Sequence, residues 1–338
     1  MTEHALFDSD ERRLQVFALD DSSAFGERVC QALGVPLDAH EERLFDDGEH
    51  KCRPLVNVRG NDVFVVESLY GDPLHSANDK LCRLLFFIGA IKDAGAARVT
   101  AVLPYLAYSR KDRKTRTRDP VTTRYVAAMV EAVGTDAVMT LDVHNLAAFQ
   151  NAFRIQSEHV EALPLFAAYL SPLIRERPVA VVAPDAGAIS RASKLRDALA
   201  NAIGDDVELA MAEKHRKGGE LTGDMLAGDV AGKDAIIIDD MIATGATLVR
   251  TASVCRERGA ARVFALATHG LFTGDAQQVL GACGFDRLVI TDTVPPFRLD
   301  HGAFRNELII LASTSLIAEA IRQAHGGDSN DPVKNVVS

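Results

Sequence analysis

An α/β protein made of two tandem copies of one domain is what this sequence predicts, and three observations predict it. Short β-branched runs alternate with amphipathic segments along the chain. Three stretches of the first half recur, in the same order, in the second. One apolar strand ends in paired acids and a loop of small residues that opens a helix.

The strand candidates are Leu14–Ala18, Asp62–Val66, Arg98–Leu103, Ala137–Leu141, Val179–Ala183, Ala235–Ile238, Arg262–Ala267 and Arg287–Thr291. Between them, Asn78–Ala94, Thr122–Val133, Ser190–Ala200 and Ala246–Arg258 place apolar residues at three- and four-residue spacing, the helical period. Alternation of this kind builds largely parallel sheets flanked by helices. Near-continuous apolar runs such as VFVV suit strands covered on both faces.

The internal echo fixes the domain count. VRGNDVFVVES, from Val58 to Ser68, aligns with VAGKDAIIIDD, from Val230 to Asp240. GAARVTAV from Gly95 aligns with GAARVFAL from Gly259, and DAVMTLD ending at Asp142 with DRLVITD ending at Asp292. These offsets of 150 to 172 residues predict one domain over 1–151, a second over 152–325, and a polar, disordered tail over 326–338. A chain of 338 residues suits two domains of that size.

Composition removes several function classes. A net charge of −10 argues against a nucleic-acid partner, because neutralising phosphates needs a basic face. Five cysteines without a CxxC spacing indicate neither a disulfide framework nor a zinc site, and reduced thiols are expected. The most apolar stretch, Leu84 to Ile91, falls short of the roughly 18 residues that a membrane span needs. The opening MTEHALFDSDERR lacks the order of a signal peptide, so a soluble cytoplasmic protein with no membrane partner is expected.

The strongest chemical signal is AIIIDDMIATGATL, Ala235 to Leu248. A loop at the carboxyl end of a parallel strand is where ligands bind in open α/β sheets. Backbone N–H groups over Thr244, Gly245, Ala246 and Thr247, with a helix dipole behind them, suit a phosphate, and the threonine hydroxyls add donors. Asp239 and Asp240 are acceptors for sugar hydroxyls or metal-bound water. In the first copy the same stretch reads VVESLYGDPL, with neither the paired acids nor the small-residue loop.

This loop resembles the phosphoribosyl-binding motif shared by phosphoribosyltransferases and ribose-phosphate pyrophosphokinases, and further segments resemble the second family over about residues 14 to 323. The resemblance implies two phosphoribosyltransferase-like domains, with ATP-side segments in the first and the ribose 5-phosphate loop in the second. RLFDDGEHK is similar to the family's F-S-D-G-E segment, which assigns Phe45, Asp47 and Glu49 to the nucleotide. PYLAYSRKDRKTRTRDPVT resembles its loop against the ATP phosphates, which assigns Arg110 and, where the family has Gln, Lys111. A run of Lys and Arg in an acidic chain forms a local anion funnel.

TLDVHN resembles the family's D-L-H, which gives His144 to ATP and, with Asp185, to Mg²⁺. APDAGAISRA resembles its pyrophosphate loop over Asp185, Ala186, Gly187 and Ala188, with Ala188 where a second Gly is usual. AEKHRKGG resembles the K-x-R of a further loop and gives Lys214 and Arg216 as catalytic cations. The implied reaction moves the β,γ-diphosphate of Mg·ATP to ribose 5-phosphate in a homo-oligomer. The alternatives are a phosphoribosyltransferase, which does not need the F-D-D-G-E segment, and a catalytically silent regulatory homologue, for which Lys111 and Ala243 are departures.

Overall fold

The computed structural model describes residues 12–217, 220–300, 302, 304 and 307–326, of which 213–217 and 220–224 by backbone only. The described chain forms two compact units, 12–160 with 317–326 and 161–316.

The first unit contains β1 (Leu14–Ala18), α1 (Ser23–Leu33), a hairpin of β2 (His40–Leu44) and β3 (His50–Pro54), and β4 (Asp62–Val66). After these come α2 (Ala77–Asp93), β5 (Arg98–Leu103), α3 (Thr122–Ala132), β6 (Ala137–Leu141), α4 (Leu146–Ala152) and β7 (Gln156–Val160). Its sheet is parallel throughout, in the order β1-β4-β5-β6-β7, and the hairpin stands apart with β3 against α2.

The second unit opens with α5 (Leu163–Leu170), β8 (Val179–Ala183), α6 (Ile189–Ile203), β9 (Val207–Lys217), β10 (Glu220–Ala227) and β11 (Asp234–Ile242). It continues through α7 (Ala246–Glu257), β12 (Arg262–Gly270), α8 (Ala276–Gly281), β13 (Arg287–Thr291) and β14 (Leu308–Leu311). The order is β10-β9-β8-β11-β12-β13-β14, with only the β9–β10 pair antiparallel. The central strands β4, β6 and β8 are buried along their whole length, as near-continuous apolar runs require.

The sequence echo is one folding unit used twice. The five strands β1-β4-β5-β6-β7 match β8-β11-β12-β13-β14 in order and direction. At the amino-terminal end of each sheet the same ion pair recurs. Arg98 grips buried Asp62 at 2.7 and 2.6 Å, and Arg262 grips buried Asp234 at 2.9 and 2.5 Å. Each guanidinium also donates to a backbone carbonyl, that of Ala324 in the last turn of the final helix at 2.6 Å or that of Leu173 in the turn after α5 at 2.9 Å. Neither planar fork is replaceable by lysine, because both use several N–H groups at once.

Three expectations shift. The first unit runs past Asn151 to Val160, because β7 pairs with β6 and completes the first sheet. The last helix, α9 (Thr314–Gly326), belongs to the first unit from Ile317 onward, where Arg98 and His325 tie it to β4 through Asp62. Gly326 is helical rather than the start of a tail, and 327–338 lie outside the described residues. Among the described residues all five cysteines are free, and no helix is long and apolar enough to cross a membrane.

Candidate active site

The strand order of the second unit locates a crevice before any side chain is considered. From β8 the chain turns through α6 to β9 on one side, then returns to β11 on the other. The carboxyl ends of β8 and β11 therefore border a topological switch point, where open α/β sheets bind ligands. The two loops that meet there are 184–188 and 243–245, the second leading into α7.

β11 reaches further than the sequence pattern shows. The paired acids do not end the strand; they lie inside it, with Asp239 opposite Ala267 and Ile242 opposite Gly270. Alternation along a strand sends Asp239 and Asp240 to opposite faces. Asp240 is buried, and its carboxylate lies 4.0 Å from the Arg191 guanidinium of α6. Asp239 Oδ1 accepts the Asp240 amide at 2.8 Å. Burial, with the Asp240 charge next to it, pushes Asp239 up to about 7. Arg191 lies within the APDAGAISRA segment, and its distance to Asp240 marks it as part of the candidate site.

The loop after β11 is open toward its amides. Gly245 has φ +78 and forms the N-cap of α7, and no side chain caps that helix. The first amides of an α-helix have no partner within it, so this turn presents free donors. Thr244 and Ala246 are exposed and Thr247 is half-buried. A Cβ on Gly245 would stand 2.5 Å from Leu280 Cδ2, so both backbone angle and packing demand glycine. Gly245→Ala is expected to destabilise the protein by about 2–4 kcal/mol, from overpacking and the left-handed backbone together. A thermal melt that leaves Tm unchanged would remove this account of the loop.

The loop after β8 is tied to itself. Asp185 Oδ1 accepts the amides of Gly187 at 2.9 Å and Ala188 at 3.2 Å, fixing a single 3-10 turn over Ala186–Ala188. Asp185, Ala186 and Gly187 are exposed. Ala188 is buried with φ −88, so the backbone there has no need of the second glycine.

In the first unit, Phe45, Asp47 and Glu49 share the β2–β3 turn, closed by Phe45 N–H to Glu49 O at 2.7 Å and Glu49 N–H to Asp47 Oδ1 at 3.1 Å. All three are exposed, and the Arg43 guanidinium lies 5.1 Å from the Phe45 ring centre. His144 is exposed between β6 and α4. Arg110 is exposed on the loop after β5.

Lys111 is engaged within that loop. Its ammonium lies 2.5 Å from Asp119 Oδ2, which also accepts the Thr115 hydroxyl at 2.7 Å and the Thr115 and Arg116 amides at 3.0 Å each. These donors hold the Asp119 carboxyl well below the usual range, with Lys111 the largest cause. Asn145 donates to Asp112 at 2.6 Å and ties this loop to the one after β6. Lys214 and Arg216 are alternate residues of β9, and their side chains lie outside the described residues.

One His–Glu–Cys group, His40, Glu42 and Cys52, comes within 4.8 Å on the hairpin. Glu42 already accepts the Asp20 amide at 2.7 Å and faces Arg83 at 3.5 Å, while burial pushes the Cys52 thiol up. It reads as an ion cluster rather than a metal centre.

Comparison with known proteins agrees along the length of the chain. A family profile described as the N-terminal domain of ribose phosphate pyrophosphokinase matches residues 14–134, and one described as a phosphoribosyl synthetase-associated domain matches 181–333. The ribose-phosphate pyrophosphokinase of Haemophilus ducreyi is 35% identical over 94% of this chain and 97% of its own. That of Vibrio cholerae is 35% identical over the same shares, 94% and 97%. The crystal structure of phosphoribosylpyrophosphate synthetase from Mycobacterium smegmatis superposes with a TM-score of 0.83 at 33% identity, covering 94% of this chain and 100% of that one. With its duplicated α/β unit and its loop of paired acids and small residues, the chain belongs to the ribose-phosphate pyrophosphokinase family.

Proposed function

We infer that this chain is a ribose-phosphate diphosphokinase: it transfers the β,γ-diphosphate of Mg·ATP to the 1-hydroxyl of ribose 5-phosphate and releases AMP. The observation that carries the reading is the β11–α7 segment, where two acids within a strand lead into an uncapped helix. A carboxylate pair and a ring of free amides are what the hydroxyls and the 5-phosphate of a pentose phosphate require.

The ribose 1-oxygen attacks the β-phosphorus in line, the bond from that phosphorus to the AMP oxygen breaks, and the hydroxyl proton is lost. Such chemistry needs positioning and charge neutralisation more than a covalent nucleophile. Thr244, Gly245, Ala246 and Thr247 hold the 5-phosphate, while Asp239 and Asp240 orient the ribose hydroxyls. Asp185, Ala186, Gly187 and Ala188 line the diphosphate. Phe45, Asp47, Glu49, Arg110 and His144 serve ATP. Lys111 takes a supporting part, because its ammonium already closes the loop through Asp119.

The exposed donors present fit Mg²⁺ in this role. One imidazole, His144, and one carboxylate, Asp185, are a sparse set, which suits a hard cation held mainly by phosphate oxygens and water. When bound, the ion neutralises charge on the diphosphate. A homo-oligomer in the cytoplasm completes the reading.

The test is AMP release from purified protein, with ATP, ribose 5-phosphate and Mg²⁺ omitted one at a time. AMP that forms only with all three present is expected. Protein that binds both substrates yet gives no AMP at any phosphate or metal level is instead a silent regulatory homologue.

A further inference from the structure

The place in the first unit that corresponds to the crevice of the second lies at the carboxyl ends of β1 and β4, which pair in parallel as β8 and β11 do, although β1 is the edge of its sheet. The chain fills it in another way. Lys80, in the first turn of α2, is fully buried. Its ammonium lies 2.6 Å from Asp72 Oδ2, 3.8 Å from Asp21 Oδ2 and 3.8 Å from the centre of the Tyr70 ring. Asp21 follows β1, while Tyr70 and Asp72 follow β4, so the ammonium joins the two loops that border the crevice.

Asp72 faces the loop with its other oxygen. Oδ1 accepts the amides of Leu74 at 2.8 Å and His75 at 2.9 Å. A carboxylate on loop amides, with a buried cation against it, has the form of an occupied phosphate loop. The helix behind is closed as well. A capping box of Ser76 and Asp79 covers the start of α2, whereas no side chain caps α7.

Two further polar groups stand beside this ion cluster. Glu67, which aligns with Asp239, is buried, and burial raises its carboxyl well above the ordinary range. The Ser22 hydroxyl faces it, yet neither Glu67 oxygen, nor the Lys80 ammonium for all its closeness to Asp72, has a hydrogen bond of full geometry. Asp21 takes a hydrogen bond from His75 Nδ1 at 3.0 Å, since Arg83 donates to His75 Nε2 at 2.8 Å and so fixes the tautomer. Burying an ammonium costs several kcal/mol unless carboxylates answer it, and Asp72 is the nearer of the two that do.

We propose that the first unit carries its own anion: the Asp72 carboxylate, on the Leu74 and His75 amides and against Lys80, occupies the crevice where the second unit takes a sugar phosphate. Each chain then has one phosphoribosyl site, and removing Asp72 creates a second that takes inorganic phosphate or a phosphate monoester. Asp72 is 15% exposed, so the vacated place is open to solvent.

The inference borrows its reading of a phosphate loop from the second unit, and the experiment separates the two. Bound inorganic phosphate per chain is counted by equilibrium dialysis at fixed ionic strength, for the full-length parent and for Asp72→Gly. The parent's count reads the loop after β11, and a count of zero there sinks the ribose 5-phosphate reading, not this one. Asp72→Gly is expected to bind one more phosphate per chain than the parent, and to gain more in Tm from it. Adding Lys80→Met is expected to abolish the extra site. A variant that binds no more than the parent overturns the proposal.

Should Asp72→Gly fail to fold even in phosphate, the milder Asp72→Asn decides. Lys80→Met is expected to lower Tm by several degrees in the parent, where it leaves the half-buried Asp72 carboxylate without its cation, and far less in Asp72→Asn. Equal losses in both backgrounds overturn the proposal.

Discussion

Lys214→Ala lowers kcat about 10²-fold and leaves KM for both substrates nearly unchanged. The expectation rests on where the residue stands and on what phosphoryl transfer demands. β8 pairs with β9 only as far as Met211, so the segment with Lys214 and Arg216 has β10 as its one partner strand. The ladder between β9 and β10 slips between Leu221 and Gly223. These cations therefore belong to a two-stranded ribbon, not to the rigid part of the sheet, and such ribbons are marginal by themselves. A cation that meets the diphosphate only as charge spreads over it stabilises the transition state and not the bound substrates. Steady-state kinetics with each substrate varied against saturating partner decide the matter. A loss confined to KM shows that Lys214 binds substrate uniformly, and the catalytic role then passes to other groups.

The sequence patterns revealed the repeated core and missed its margins, and the reason is physical. β1, β4, β6 and β8 are runs of apolar residues buried on both faces, so their own composition marks them. β7, with the sequence QSEHV, is half-exposed at the sheet edge and carries no such mark; it is a strand because β6 supplies its ladder. Asp239 and Asp240 look like a strand end, since acids are rare in β-structure, yet β12 holds them in register. That α9 completes the first unit depends on Asp62 and Arg98, more than two hundred residues away in the chain, and no local pattern reports it.

The site divides in the same manner. The loop proposed for the 5-phosphate was legible because such a turn would constrain the residues themselves: glycine where φ is +78 and threonine where hydroxyls are useful. Arg191 and Asp119 were not, because their parts lie in contacts with side chains elsewhere in the chain. Lys111 illustrates the limit. The motif assigns it to ATP, and nothing in the motif reports its contact with Asp119.

Asp240→Ala raises KM for ribose 5-phosphate by a factor of about 10 to 100, the equivalent of roughly 1–3 kcal/mol for a buried polar group left without its partner. Asp239 adds a pH dependence. Its carboxyl, raised to about 7 in the free protein by burial and the adjacent Asp240 charge, ionises across the neutral interval. Only the ionised form accepts hydrogen bonds through both oxygens. Therefore kcat/KM for ribose 5-phosphate should climb across that interval, since this quantity reports ionisations of the free enzyme. The substrate's own phosphate ionises near pH 6, and Asp239→Asn separates the two by removing the protein's share of the rise. Stability moves in the opposite direction. A folded-state value above the unfolded one gives stability that is complete below the ordinary carboxylate range and is lost as pH rises through 7. Asp239→Asn should therefore gain in Tm relative to the parent above neutrality while losing the kinetic rise. If the asparagine variant keeps the parent's pH profile, Asp239 is not the ionising group. If Asp240→Ala binds the sugar phosphate as well as the parent does, the acids of β11 do not hold the ribose.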